Sequence, residues 1–247
     1  MNLKLGSLTV GKIVAASSLL WTNALFAQVV VAPGAFATTE GNLQYNASPF
    51  GGVGGSFAQI LYTQAALGLT AGDVITGIAF RLDSTFSPAQ PASDGTVTSW
   101  AVSIGTPQSG IAPGSMSSDP TLNITGATLV HSGSLLIHAG DYTSGQSPNA
   151  FGPVIPLSGY TYNGGSIIIQ IQQSGGVPVN IDVSNGAGNL TDYQTKLSNG
   201  QATPLSMFDV PTPIVQLSYT PVPEPVTYTL LSALGLGVFA LVRGRKH

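Results

Sequence analysis

The chain has 247 residues, of which only 17 are charged; it contains no cysteine, and glycine and proline together number 48. The missing cysteines exclude a disulfide scaffold, a thiolate metal site and a cysteine nucleophile, and a hydrophobic content of 43% excludes wholesale disorder. Five of the seven cations sit in the first 12 or last 5 positions, so the interior carries a formal charge of −8 instead of −3 and is set aside as a nucleic-acid binder, which would need Lys and Arg to neutralise phosphates.

Residues 1–27 read as a signal helix for export. Lys4 and Lys12 lead, the apolar stretch Ile13 to Phe26 follows, and Ala27 supplies a small residue for cleavage before Gln28. The stretch is short and is interrupted by Ser17, Ser18, Thr22 and Asn23, which suits a removed leader better than a permanent span.

Residues 28–220 form the body, with a flexible N-terminal stretch that includes Gly51-Gly52-Val53-Gly54-Gly55. Short period-2 runs then alternate with turn-formers. Expected strands are 57–62, 74–82 (with Ile78, Phe80 and Leu82 on one face and Arg81 on the other) and 100–104. Others are 127–132 and 134–138 as neighbours divided by Gly133, the run SIIIQIQ, and 214–219. In SIIIQIQ, Ile167, Ile169 and Ile171 alternate, and apolar Ile168 allows burial on both faces. A short helical turn is expected over 63–69, and loops over 109–120 and 144–148. Such runs separated by Gly, Pro, Asn and Asp predict an all-β fold: an antiparallel β-sandwich, jelly-roll-like, which buries two apolar faces against each other.

The segments LYTQAALGLTAGDVITGIAF, WAVSIGTP and GPVIPLSGYTYNGGSIIIQI resemble a β-sandwich module of exported bacterial surface proteins, over roughly residues 40–220. That resemblance implies the fold and brings no site residues.

Residues 221–247 form the tail. Its apolar run, 226–242, has 17 residues and no charge, at the short end of the range of about 17–25 for a transmembrane helix. Arg243, Arg245 and Lys246 follow at once, and cations there favour the cytoplasmic side. The combination of Val222, Pro223, Glu224 and Pro225, a spacer, Thr227, the apolar run and the basic end is similar to a PEP-CTERM sorting signal. By that resemblance the protein is exported by a Gram-negative bacterium that makes extracellular polysaccharide. Its tail is held in the inner membrane and then cut near the motif by exosortase, a transpeptidase-like membrane enzyme. The motif residues are thus recognition residues of a substrate. Two prolines fix φ and keep the motif extended outside the bilayer.

No familiar catalytic pattern occurs in the body. Gly-x-Ser-x-Gly, His-Glu-x-x-His and Ser-x-x-Lys are all missing. His131 and His138 would approach each other if they lay on adjacent strands, but nothing marks a partner. Most aspartates fall in turn contexts, where Asp bonds its own backbone. The cluster Asp182, Ser184, Asn185, Asn189 and Asp192 is a poor match to a calcium loop; no cofactor is expected, although a structural calcium is left open. Trp100 alternates with Val102 and Ile104 and is expected in the core. Tyr160 and Tyr162, beside Asn163-Gly164-Gly165, are the candidates for exposed rings that stack on sugars. The leading expectation is a non-enzymatic cell-surface or matrix protein associated with exopolysaccharide. A carbohydrate-binding module at the same address is the second reading, and an extracellular hydrolase the third.

Overall fold

Alternating apolar side chains form strands because period-2 spacing puts them on one face of a pleat. The computed structural model describes residues 27–41, 43–44, 49–50, 56–117, 119–184, 191–198, 201–204 and 212–222, with backbone alone at 43–44, 56, 191–198 and 201–204. Within them the chain is all-β and every pairing is antiparallel. The strands are β1 (Gln28–Ala32), β2 (Leu43–Gln44), β3 (Ser56–Tyr62), β4 (Val74–Phe80), β5 (Gly95–Pro107), β6 (Ile124–Ile137) and β7 (Ile155–Thr161). They continue with β8 (Ile167–Ser174), β9 (Asp182–Ser184), β10 (Thr191–Ser198), β11 (Gln201–Pro204), β12 (Thr212–Pro213) and β13 (Val215–Thr220). A single helical turn, α1 (Gln64–Leu67), follows β3 and stops at Gly68, whose φ of 64° is the left-handed cap that glycine adopts without strain.

Two larger sheets, ordered β1-β13-β4-β7 and β11-β10-β3-β8-β5-β6, face each other across one core, and a small sheet β12-β9-β2 lies beside them. The inward residues are those the alternation marks: Ile75, Ile78 and Phe80 from β4, Trp100, Val102 and Ile104 from β5, Ile167, Ile169 and Ile171 from β8, Val215 and Leu217 from β13. Trp100 is buried as expected; its indole N–H donates to Pro49 O at 2.8 Å, which satisfies the ring's one polar atom.

Ile168 points the other way. With Leu61 and Met116 it builds a second apolar cluster on the outer face of the six-stranded sheet. The 109–123 connection is held over that face by hydrogen bonds from Gln59 to Pro120 O and from Asn123 to Gln59, and Gln59 also donates to Gln170 on β8. Burial of Ile168 and burial of the Gln59 amide therefore have one cause, the loop that covers both.

The divided pair of strands expected around Gly133 is one strand. Residues on both sides of Gly133 pair with β5, and Gly133 itself faces Trp100 beside a register shift, with φ 147°. Glycine here makes a bulge in a continuous strand. The start of the body carries a further strand that period-2 spacing does not mark. Gln28-Val29-Val30-Val31-Ala32 forms an edge strand on β13, in register from Gln28↔Tyr219 to Ala32↔Val215. Three successive β-branched valines favour that extended backbone. Gly51 to Gly55 lie outside the described residues.

Candidate functional site

Two places in the structure gather polar groups that a β core alone does not require. The first lies where β4 ends. Arg81 follows β4 and is 1% exposed, although alternation alone put it on the face opposite the apolar residues. Its Nε donates to Asp182 Oδ2 at 2.6 Å, its Nη2 donates to Thr39 O at 2.6 Å, and its guanidinium lies 5.2 Å from the Phe151 ring centroid. Asp182, fully buried at the head of β9, also accepts from the Gly41 amide at 3.0 Å. Gly41 is required there, because a Cβ would overlap Val183 O and Asp182 Oδ1.

Glu40 and Asp83 complete the group, and the carboxylates of Glu40, Asp83 and Asp182 each offer an oxygen within 4.8 Å of the others. That spacing would suit a hard cation, which takes carboxylate oxygens. The oxygens are nevertheless mostly engaged: Asp83 Oδ1 accepts from the Thr85 amide at 2.8 Å and Glu40 Oε1 from the Ser84 amide at 2.8 Å. Glu40 Oε2 is buried and has no hydrogen-bond partner among the described residues. Burial pushes the Asp182 carboxyl up to about 6; Arg81 pulls it down, and the Glu40 charge adds to the rise. The cluster ties three distant segments together around one guanidinium. Of the loosely matched calcium loop, Asp182 and Ser184 lie in β9, while Asn185 and Asn189 lie outside the described residues and the Asp192 side chain is undescribed.

The second place is where the chain leaves the body. The turn Thr70-Ala71-Gly72-Asp73 precedes β4. The Asp73 amide donates to Thr70 O at 3.0 Å, and the Thr70 amide donates back to Asp73 Oδ2 at 2.8 Å. The Tyr162 amide donates to Asp73 O and the Gly72 amide to Tyr162 O, at 2.8 and 2.6 Å. Asp73 Oδ1 then accepts the Val222 amide at 3.1 Å. Gly72 has φ 98°, and a Cβ on it would come within 2.7 Å of Val222 Cγ2. Two residues earlier, Thr220 ends β13 opposite Val74. At the same end of β13, Tyr219 pairs with Gln28 and its hydroxyl donates to Gln28 Oε1 at 2.9 Å.

The residues singled out in the sequence fall as follows. Ala27 immediately precedes β1, and Gln28 is its first residue. Val222 stands at the exit just described. Pro223, Glu224, Pro225, Thr227, Arg243, Arg245 and Lys246, and the apolar run 226–242, lie outside the described residues, as do residues 1–26. Among the described residues no helix is long and apolar enough to cross a membrane.

Tyr160 and Tyr162 require a correction. They are 8% and 0% exposed and belong to the main core, so they offer no stacking platform. The flanking Asn163-Gly164-Gly165 does make a turn, but the Tyr162 hydroxyl donates to Gly165 O at 2.6 Å, which lets the ring be buried with its polar end satisfied. The histidines are also kept apart in role: His131 bonds Pro156 O across the sheets through Nδ1, and His138 pairs with Asp94 at the exposed surface. A shallow cleft of about 530 Å³ lies between Pro88–Gly95 and Gly176–Asn180, with Gln90, Ser93, Asp94 and Asn180 as its polar lining.

Comparison with protein-family models, with curated proteins and with solved structures finds no match to this chain. The class that the fold defines is therefore an antiparallel, sandwich-like all-β body.

Proposed function

We propose that the protein is an exported, non-enzymatic surface or matrix protein whose body is a jelly-roll-like sandwich and whose tail is a PEP-CTERM sorting signal processed by exosortase. The observation that carries this reading is the junction of the two ends. Strand β1 begins at Gln28, the residue after the expected leader cut, and β13 ends at Thr220, two residues before Val222 opens the motif. The outermost described strands of the body, β1 and β13, thus lie next to the two expected processing points. Gln28 and Tyr219 are register partners, so one end of the body bears both the N-terminus expected after leader removal and the point where the sorting tail starts. That is a workable geometry for a domain delivered through, and held briefly against, one membrane. Exopolysaccharide outside a Gram-negative cell is the partner the address implies.

No catalytic role is assigned. Of the three convergent carboxylates, Asp83 and Asp182 are buried and Glu40 half-buried, and all three accept from backbone amides, unlike an acid–base pair open to a sugar. A polysaccharide-binding role has lost its two aromatic candidates, Tyr160 and Tyr162, which are buried.

Truncation after Val222 tests the reading in cells that carry exosortase. The shortened protein should cross the inner membrane and fail to be retained at the envelope as the full chain is. Identical distribution of the two forms would show that residues 223–247 do not direct sorting.

A further inference from the structure

Asp73 does more than close its own turn. One carboxylate oxygen bonds the Thr70 amide within the turn, while the other reaches 149 positions along the chain to the Val222 amide. The side chain is almost wholly buried, and the Tyr162 strand end grips the same turn through two backbone bonds. The holder is thus rigid. What it holds is the first residue of the sorting motif, seated against a glycine whose missing side chain makes the space.

We infer that the Gly72–Asp73 turn is a clamp on the sorting segment, holding Val222 to the body so that the processing enzyme must open this contact before it can take the motif. The inference rests on the sorting reading above. From Val222 to the first residue of the apolar run is four steps of chain, at most about 14 Å when fully extended; from Thr220 it is about 21 Å. With the clamp shut, the body stands close against the bilayer and the Val222 N–H is occupied. Enzymes that bind extended peptides commonly do so through backbone N–H and C=O groups, so an engaged N–H beside the motif hinders capture. Releasing Val222 frees that donor and lengthens the tether. Asp73 is a positioning residue in this scheme: it acts on the substrate segment and takes no part in the cut.

The test follows the full-length chain by pulse-chase and intact mass in exosortase-positive cells, with Asp73→Ala, Asp73→Asn and Tyr62→Phe. The Tyr62 hydroxyl donates to Pro213 O in the core, so its loss perturbs the body without touching the exit. Loss of a hydrogen bond to a charged acceptor should speed tail removal at least about tenfold in Asp73→Ala. Asp73→Asn retains acceptor oxygen and should fall between it and wild type. Hydrogen exchange at the Val222 amide should quicken in Asp73→Ala and stay slow in Tyr62→Phe, which separates the clamp from general loosening. Equal or slower tail removal in Asp73→Ala, or acceleration matched by Tyr62→Phe, overturns the clamp while leaving sorting intact. If even the wild-type tail is never removed, the sorting reading fails and the clamp fails with it.

Discussion

At the scale of single residues, the Arg81 cluster makes the sharpest demands. The Arg81 guanidinium pairs with Asp182, whose carboxyl lies close to those of Asp83 and Glu40, so one cation serves a group of three carboxyls. Removing the cation should therefore cost more than removing one anion. Arg81→Met is expected to destabilise the body by about 3–5 kcal/mol at pH 7, because it leaves buried carboxylates unpaired; urea midpoints measure this, and wild-type stability in the variant would contradict it. Asp182 gives a pH signature. Its folded value of about 6 lies above the ordinary 3.8, so between those values the folded state binds more protons than the unfolded. Stability contributed through Asp182 is then full below about pH 4 and falls as pH rises through 6. Asp182→Asn, which cannot titrate, should gain on wild type between pH 4 and pH 7, and the opposite trend would contradict the assignment. None of this was legible in the sequence. Alternation put Arg81 on the face opposite Phe80, and its partner lies 101 positions away. Tyr160 and Tyr162 misled for a related reason: turn residues beside a tyrosine say where the backbone bends, not where the ring packs.

At the scale of elements, the strand runs 57–62, 74–82, 100–104, 166–172 and 214–219 each became a strand within a few residues, since period-2 patterning is local information. The double-sided burial of SIIIQIQ was legible too, because Ile168 broke the polar alternation. What the pattern could not reveal was the loop that covers Ile168, which depends on Met116 and the Gln59–Asn123 contact from elsewhere in the chain. Both faces of β8 are therefore testable. Ile169→Ala opens a cavity in the main core and should cost about 2–5 kcal/mol. Ile168→Ala should cost less, as its cluster is small, and should loosen the 109–120 loop to limited proteolysis. Equal cost with no loop exposure would show that the outer cluster does not hold the loop. Gly133 was misread because glycine marks a turn and a bulge alike; only the shared partner β5 decides between them.

For the whole molecule, the informative feature is that a strand from each end of the body closes one sheet. β1 lies at the edge of β13, contributing Ala32 and part of Val30 to the core. A chain starting after Ala32 should lose about 2–4 kcal/mol, from the buried apolar groups and the exposed β13 edge. An unchanged unfolding midpoint would mean that β1 is dispensable. Composition foreshadowed this arrangement only in part: it separated cationic ends from an anionic body but did not tell that the ends of the body meet. The most direct test of the account is the intact mass of the mature protein from exosortase-positive cells. The account predicts an N-terminus at Gln28 and a C-terminus close to Pro223–Pro225. A mature species that still carries Arg243 to His247 would contradict it.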